Sequence, residues 1–281
     1  MENLVQAIRA MERNSVRLTI GGKADTRTGA SRFGGVPDVP ADFLWPVFET
    51  ATYDDDEVRP RPLAFLAQFD CQALAFCDKD ELLPHEGVLS FFYELGSQRW
   101  GYDSADDGCA RVFWFPDRSA LHPAEVPESL EEAYRRPALG IAMAAEPSLP
   151  GMEDFLTPTG NWDGADAYYQ ALGIDTDTLE DENRSCLLGW PDTIQGNMTV
   201  ECELVGRGVY MGGDRPIPQG ALEEARRTSL ENWQLLFQLD TVENNGFELM
   251  FGDCGRVYFY IRKEDLAARR FDRVWLVLQC G

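Results

Sequence analysis

The octapeptide LAFLAQFD at Leu63–Asp70 returns at Trp233–Asp240 as WQLLFQLD. Leu66, Gln68 and Asp70 stand opposite Leu236, Gln238 and Asp240, and the residues between them are apolar in both copies. A period of two sends Phe65, Ala67 and Phe69 to one face of an extended strand and Leu66, Gln68 and Asp70 to the other. Leu235, Phe237 and Leu239 separate from Leu236, Gln238 and Asp240 in the same way. Each stretch is expected to form a strand carrying a Gln and an Asp on one face near its end.

The match extends outward. Downstream, Gly87-Val88-Leu89-Ser90-Phe91-Phe92 answers Gly255-Arg256-Val257-Tyr258-Phe259-Tyr260, at similar distances from the Gln. Upstream, Gly34-Gly35-Val36-Pro37-Asp38 answers Leu188-Gly189-Trp190-Pro191-Asp192. Three blocks in one order point to an internal duplication. The fold class expected is α+β: two similar, mainly antiparallel β-sheet halves with short helices. Residues 1–146 form the first half. Residues 147–281 form the second, which includes an acidic, packed insertion at about 147–185, and the two make one compact unit.

Other elements follow from pattern. Leu4, Val5, Ile8 and Met11 have helical spacing. Helices are also expected near Asp166–Leu172, Ala221–Ser229 and Glu264–Arg270, and a capping box at Ser129 and Glu132 opens another. Strands are expected at Val16–Ile20, Val88–Glu94, Gln98–Tyr102, Arg111–Phe115, 137–146, Met198–Val205, Gly208–Met211, Phe247–Phe251, Arg256–Ile261 and Val274–Cys280. Asp54–Glu57 is a charge run at a solvated loop tip.

The paired Gln and Asp residues admit two readings. Packed with pseudo-two-fold symmetry, the halves would bring Gln68, Asp70, Gln238 and Asp240 to a shared cleft, with Trp45 and Trp190 beside the Pro loops. Alternatively each pair ties down the backbone N–H groups of its neighbouring Gly-Pro loop, groups that cost ~1–3 kcal/mol when buried unpaired. Asp253 and Arg256 join the candidate ligand-binding residues. They flank Cys254, which is expected to sit buried in a turn.

The formal net charge is −23, and Arg135-Arg136, Arg226-Arg227 and Arg269-Arg270 are isolated pairs rather than a basic patch. Nucleic acid and anionic membranes are disfavoured as partners, whereas a basic protein is attracted. The seven cysteines form no Cys-x-x-Cys, and several lie in apolar runs, as small buried hydrophobes do in a reducing compartment. Met1–Val5 lack a signal-peptide pattern, and Ala138–Ala145 falls far short of the ~20 apolar residues of a membrane helix. A cytoplasmic protein is expected. No nucleophile elbow, dinucleotide fingerprint or phosphate loop is present. Asp175-x-Asp177 opens like a calcium loop but lacks its Gly and terminal Glu. The two histidines, His85 and His122, lie beside prolines in expected turns. No cofactor and no metal site are expected, and the catalytic residues of any activity stay unassigned.

Several blocks together resemble the YwqG-like family, a bacterial family also described as a domain of unknown function. They are Ser31-Arg32-Phe33-Gly34-Gly35-x-Pro37 with Trp45-Pro46, Phe65–Gln68, Leu188-Gly189-Trp190-Pro191 with Gln195, Gly252-Asp253-x-Gly255-Arg256-Val257-Tyr258-Phe259, and Val274-Trp275-x-x-Leu278-Gln279. Leu188 departs from the pattern where a second copy of the loop would carry Gly. The resemblance implies an α+β fold with two similar halves and no established activity. Members have been proposed, from gene neighbourhoods, as toxin-immunity proteins. The function expected is non-enzymatic protein binding, with a basic partner such as a toxin domain. The alternative is a small-molecule binder or hydrolase with a cleft between the halves.

Overall fold

In the computed structural model, residues 2–174, 184–213, 216–244 and 246–281 are described. The chain begins with α1 (Glu2–Arg9), β1 (Arg13–Lys23), β2 (Arg32–Phe33) and β3 (Asp38–Val39). A two-stranded ribbon follows, β4 (Val47–Thr50) with β5 (Arg59–Pro62). Next come β6 (Ala64–Asp70), α2 (Cys71–Leu74), β7 (Val88–Tyr93), β8 (Ala110–Phe115), β9 (His122–Pro123) and β10 (Leu139–Ser148). After α3 (Met152–Leu156) and α4 (Ala165–Leu172) lie β11 (Cys186–Leu188), α5 (Met198–Val205), α6 (Gln219–Asn232) and β12 (Trp233–Leu239). The chain closes with β13 (Val242–Asn244), β14 (Phe247–Leu249), β15 (Arg256–Arg262), α7 (Lys263–Ala267) and β16 (Trp275–Gln279). The class is α+β. Among the described residues no helix is long and apolar enough to cross a membrane.

Ten strands form one antiparallel sheet in the order β16-β15-β12-β11-β1-β10-β2-β6-β7-β8. The central pair β1–β10 divides it into two wings. Each wing runs outward through a short strand (β11 or β2), a strand ending in Gln-x-Asp (β12 or β6), and two more. The matched strands also share a defect: the register slips between Phe65 and Ala67 in β6 and between Leu235 and Phe237 in β12.

The sheet curls shut. Seven inter-strand steps separate β15 from β7, roughly 34 Å in a flat sheet. Yet the rings of Phe91 and Phe259 are 5.3 Å apart, and those of Phe91 and Phe237 are 4.7 Å apart. Phe69, Leu66, Val16 and Leu236 complete this inner core, which draws on both wings. The loop 98–101 seals the seam. Leu278 N–H donates to Trp100 O at 3.1 Å, and Trp275 Nε1 donates to Gly101 O at 3.1 Å. Gly101 is required there: its φ is +80°, and a Cβ would lie 1.9 Å from Leu276 O.

The outer faces carry different covers. On the second wing Trp233, Leu235, Tyr258, Tyr260 and Val277 pack under Met198 and Cys202 of α5. Helix α6 then packs on α5 through Val200, Leu204 and Ala225. On the first wing Leu63, Phe65 and Phe92 lie under Phe43, Trp45 and Phe48, from the ribbon and the loop before it.

Several expected elements differ. Met198–Val205 is helical: Asn197 caps it, accepting from Val200 N–H at 3.0 Å. Nearly every residue of α5 is buried, so it shows no polar face to mark a helical period. Gln98–Tyr102 is a loop because Gln98 (φ 43°) and Gly101 interrupt the extended run. Gly208–Met211 forms no strand. The capping box is absent, since the single turn Glu132–Tyr134 starts from Glu131 with no side-chain cap. Asp175 and Asp177 lie outside the described residues.

Candidate functional site

The end of β6 is a buried polar cluster. Gln68 is fully buried. Its Oε1 accepts from Asp38 N–H at 2.9 Å, and its Nε2 donates to Ala30 O at 3.0 Å and to Asp38 Oδ2 at 2.8 Å. Asp38 also receives Gly29 N–H at 2.7 Å and the Arg32 guanidinium at 2.9 Å. Burial works against the Asp38 charge, but the bonds from Arg32, Gly29 and Gln68 together hold the carboxyl below its ordinary pKa. Asp70 N–H donates to Ser31 Oγ at 2.9 Å, and its carboxylate takes Gln72 N–H at 3.0 Å and Arg118 at 2.6 Å.

The end of β12 repeats the scheme. Gln238 Oε1 accepts from Asp192 N–H at 2.8 Å, and Nε2 donates to Arg184 O at 2.7 Å. Asp240 N–H donates to Ser185 Oγ at 3.1 Å. Here the cation is Arg256, which reaches Asp240 and Asp192, each at 2.8 Å. Burial opposes the Arg256 charge, but the two carboxylates more than offset it and raise its pKa. Tyr258 OH donates to Asp192 O at 2.6 Å, and Gln279 Oε1 accepts from Ile194 and Gln195 N–H at 3.0 Å. Leu188 (φ 60°) and Gly189 (φ 73°) adopt the left-handed turn of Gly34 (φ 58°) and Gly35 (φ 73°). The loop geometry is thus kept without the first Gly, at a strain cost of about 1–3 kcal/mol.

The two pairs have different surroundings. Gln238 and Trp190 border a cavity of about 630 Å³, and Asp240 borders one of about 670 Å³; neither reaches Gln68 or Asp70. Each Gln bonds the backbone of its own loop. The strict alternation is also corrected. The bulge at Leu66 puts Phe65 in the outer cluster, whereas Leu66, Ala67 and Phe69 join the inner core. Trp45 packs on Phe92 and donates Nε1 to Leu63 O at 2.9 Å. Trp190 is buried, donates Nε1 to Met11 O at 2.8 Å and carries the Arg13 guanidinium 3.5 Å above its ring. Asp253 is exposed. Cys254 is exposed too, not buried, because the turn at φ 48° holds it at the surface.

A family model, the domain of unknown function DUF1963, matches residues 31–280. The chain belongs to this family. The match takes in β6, β12 with its polar cluster, and the seam that closes the DUF1963 sheet. Among curated proteins none matches the sequence.

Among the described residues no group of three His, Cys, Asp or Glu is disposed to hold a metal. His85 and His122 are exposed. Burial pushes the thiols of Cys71 and Cys186 up to about 12, so they pack rather than react. Two acids in the α3–α5 region escaped sequence reasoning. Burial raises Asp154 to about 7, with Arg13 and Asn197 only partly offsetting it, and burial raises Glu201 to about 8. Only their seclusion distinguishes them from the chain's other acids.

The ribbon was missed as well. In β4 and β5, Phe48, Thr50 and Arg61 turn inward, whereas Val47, Glu49 and Pro60 face solvent. Val36, Leu44, Val47, Tyr53 and Val58 are five of the eight large hydrophobic residues exposed among the described residues. Residues 36–58 hold seven acids and no Lys or Arg. The available signal was Pro60 and Pro62, alternate prolines that an edge strand carries and a central strand does not.

Proposed function

We propose that this DUF1963 protein is a non-enzymatic protein-binding module whose outward ribbon face, flanked by acids, receives a basic partner. The observation that carries this reading is the concentration of exposed apolar side chains in residues 36–58: Leu44 is 85%, Val58 68% and Val47 54% exposed. Exposed apolar groups concentrated in one segment, rather than scattered along the chain, suit an interaction surface. The net charge of −23 favours a basic partner and speeds its encounter. Toxin immunity is the biological setting we propose, from the likeness of the loop and C-terminal blocks to the YwqG-like family. Co-expression with a toxin domain encoded beside it is the test. Growth rescue and a complex on size exclusion are expected, both abolished by combined Val47→Glu and Val58→Glu. Rescue unaffected by these changes would remove the ribbon from the reading, and absence of any complex would remove the reading itself.

The two wings, in this proposal, descend from one duplicated unit, with residues 1–146 and 147–281 folding together. Support comes from the matched bonds of Gln68 and Gln238, of Ser31 and Ser185, and from the equivalent bulges. Separately expressed halves should fold only when mixed; independent folding of either speaks against one shared unit. A cytoplasmic location fits the buried thiols Cys71, Cys109, Cys186, Cys202 and Cys280, and immunoblotting of fractionated cells tests it.

A further inference from the structure

A cavity of about 440 Å³ opens where α7, the start of β1 and the loop after α2 meet. It draws walls from both wings, a common setting for ligand pockets of this size. Three cations line it: Arg13, Lys263 and Arg269. Each is held by neutral groups. Arg13 lies over the Trp190 ring and sends Nη1 to Gly189 O at 3.5 Å. Lys263 Nζ donates to Leu230 O at 2.9 Å, and Arg269 donates to the carbonyls of Leu82 and Leu83. Among the described residues none of the three forms an ion pair. That is unexpected in a chain with 48 acids against 25 Lys and Arg. Asp154 and the lining residue Asp80 act on Arg13, and Glu231 on Lys263, each from beyond ion-pair distance.

Backbone strain gathers at the same place. Of the five non-glycine residues with positive φ among the described residues, Glu81 (53°) and Arg269 (58°) line the cavity. A third, Leu188 (60°), precedes its lining residue Gly189. Strain of this kind persists only where surrounding structure enforces it, and it concentrates at ligand sites. Leu82, Leu266 and Ala267 supply an apolar wall. Asp80 and Glu81 stand exposed on the lining, with Asp80 accepting Asn14 N–H at 3.0 Å.

We propose that this cavity binds an amphipathic monoanion, its carboxylate head meeting Arg13 and Lys263 and its apolar body lying on Leu82, Leu266 and Ala267. Arg269 holds the wall in place. Asp80 and Glu81 select against a second negative charge. This site is independent of the ribbon face, so either can fail without the other.

Isothermal titration of the full chain with octanoate, octylammonium, 1-octanol and octyl phosphate tests the proposal. Octanoate should saturate a single site, with the other three binding about tenfold weaker or worse. Lys263→Gln, on the exposed side of α7, should weaken octanoate about fivefold while leaving 1-octanol unchanged. A matched melting temperature shows that this variant is folded; Arg13→Gln, which also loses the Trp190 contact, is the second variant and should weaken octanoate further. No saturable octanoate binding up to about 10 mM overturns the site. So does octylammonium binding as tightly as octanoate, or a Lys263→Gln variant with unchanged octanoate affinity. Octyl phosphate binding more tightly than octanoate overturns the monoanion assignment.

Discussion

The two wings present equivalent strand faces outward, yet one wears two layers of helix and the other a single ribbon. On the second wing α5 shields Trp233 and Leu235, and α6 shields α5 through Leu204 and Ala225. On the first wing one layer of ribbon covers Phe65 and Phe92 and leaves Leu44, Val47 and Val58 outside. A second layer is what buries the far side of a cover. Where it is missing, apolar groups remain for a partner.

The polar clusters beneath differ in the same spirit, in how the cation is supplied. Arg32 comes from β2 beside its own loop and pairs with Asp38 alone, whereas Arg256 comes from β15 and neutralises Asp240 and Asp192 together. Arg256→Met takes the guanidinium from two carboxylates at once, leaving buried Asp240 with only the Arg184 and Thr241 N–H groups and Asp192 with the Arg184 side chain at 3.7 Å, and should cost about 3–5 kcal/mol in urea unfolding. Arg32→Met strands one that keeps the Gly29 N–H and Gln68 amide, and should cost less. The reverse order would break the comparison between the clusters.

These clusters were legible because a Gln and an Asp interrupt otherwise apolar strands, and because Gly-Pro loops need an anchor. Three other features were not. The bulge at Leu66 carries no Gly or Pro to announce it. Helix α5 is buried on nearly all sides, so its period is hidden. The approach of Phe91 to Phe259 is a property of the curled sheet, which no local pattern encodes. Arg13 is one Arg at a strand start, and only the fold puts it over Trp190 beside Lys263.

The next effect down separates the covers. Leu204 is fully buried between α5 and α6. Leu204→Ala should cost about 2–5 kcal/mol, measured by thermal or urea unfolding. A cost near zero would mean that the second layer contributes little and that the contrast between the covers is only one of appearance.

A smaller effect appears in pH. Asp38 has a lowered pKa in the folded chain, so its contribution is present above the unfolded value and lost as pH falls through the folded one. Asp154 behaves oppositely. Burial raises it to about 7, so the folded state binds a proton that the unfolded chain has already released. Stability therefore falls as pH rises from the ordinary carboxyl value of 3.8 through about 7. Glu201, raised to about 8, adds the same slope slightly higher. Asp154→Asn should flatten the fall of melting temperature across that window and leave the variant more stable than wild type above it, by a few degrees. An unchanged pH profile would show that Asp154 is charged in the folded protein.

The smallest effect on stability is the most telling for function. Leu44→Ser, Val47→Ser and Val58→Ser remove apolar groups that already face water, so the folded and unfolded chains lose nearly the same thing. Each should shift unfolding by no more than about 0.5 kcal/mol. The same three changes should weaken a basic partner about tenfold or more when combined, since truncating central apolar contacts costs over 1 kcal/mol each at hot spots. Large destabilisation would mean that these residues pack against the wing after all. A silent effect on both stability and partner binding would leave the open cover without a use. Only the split outcome, with stability kept and binding lost, makes the missing second layer a functional difference between the wings.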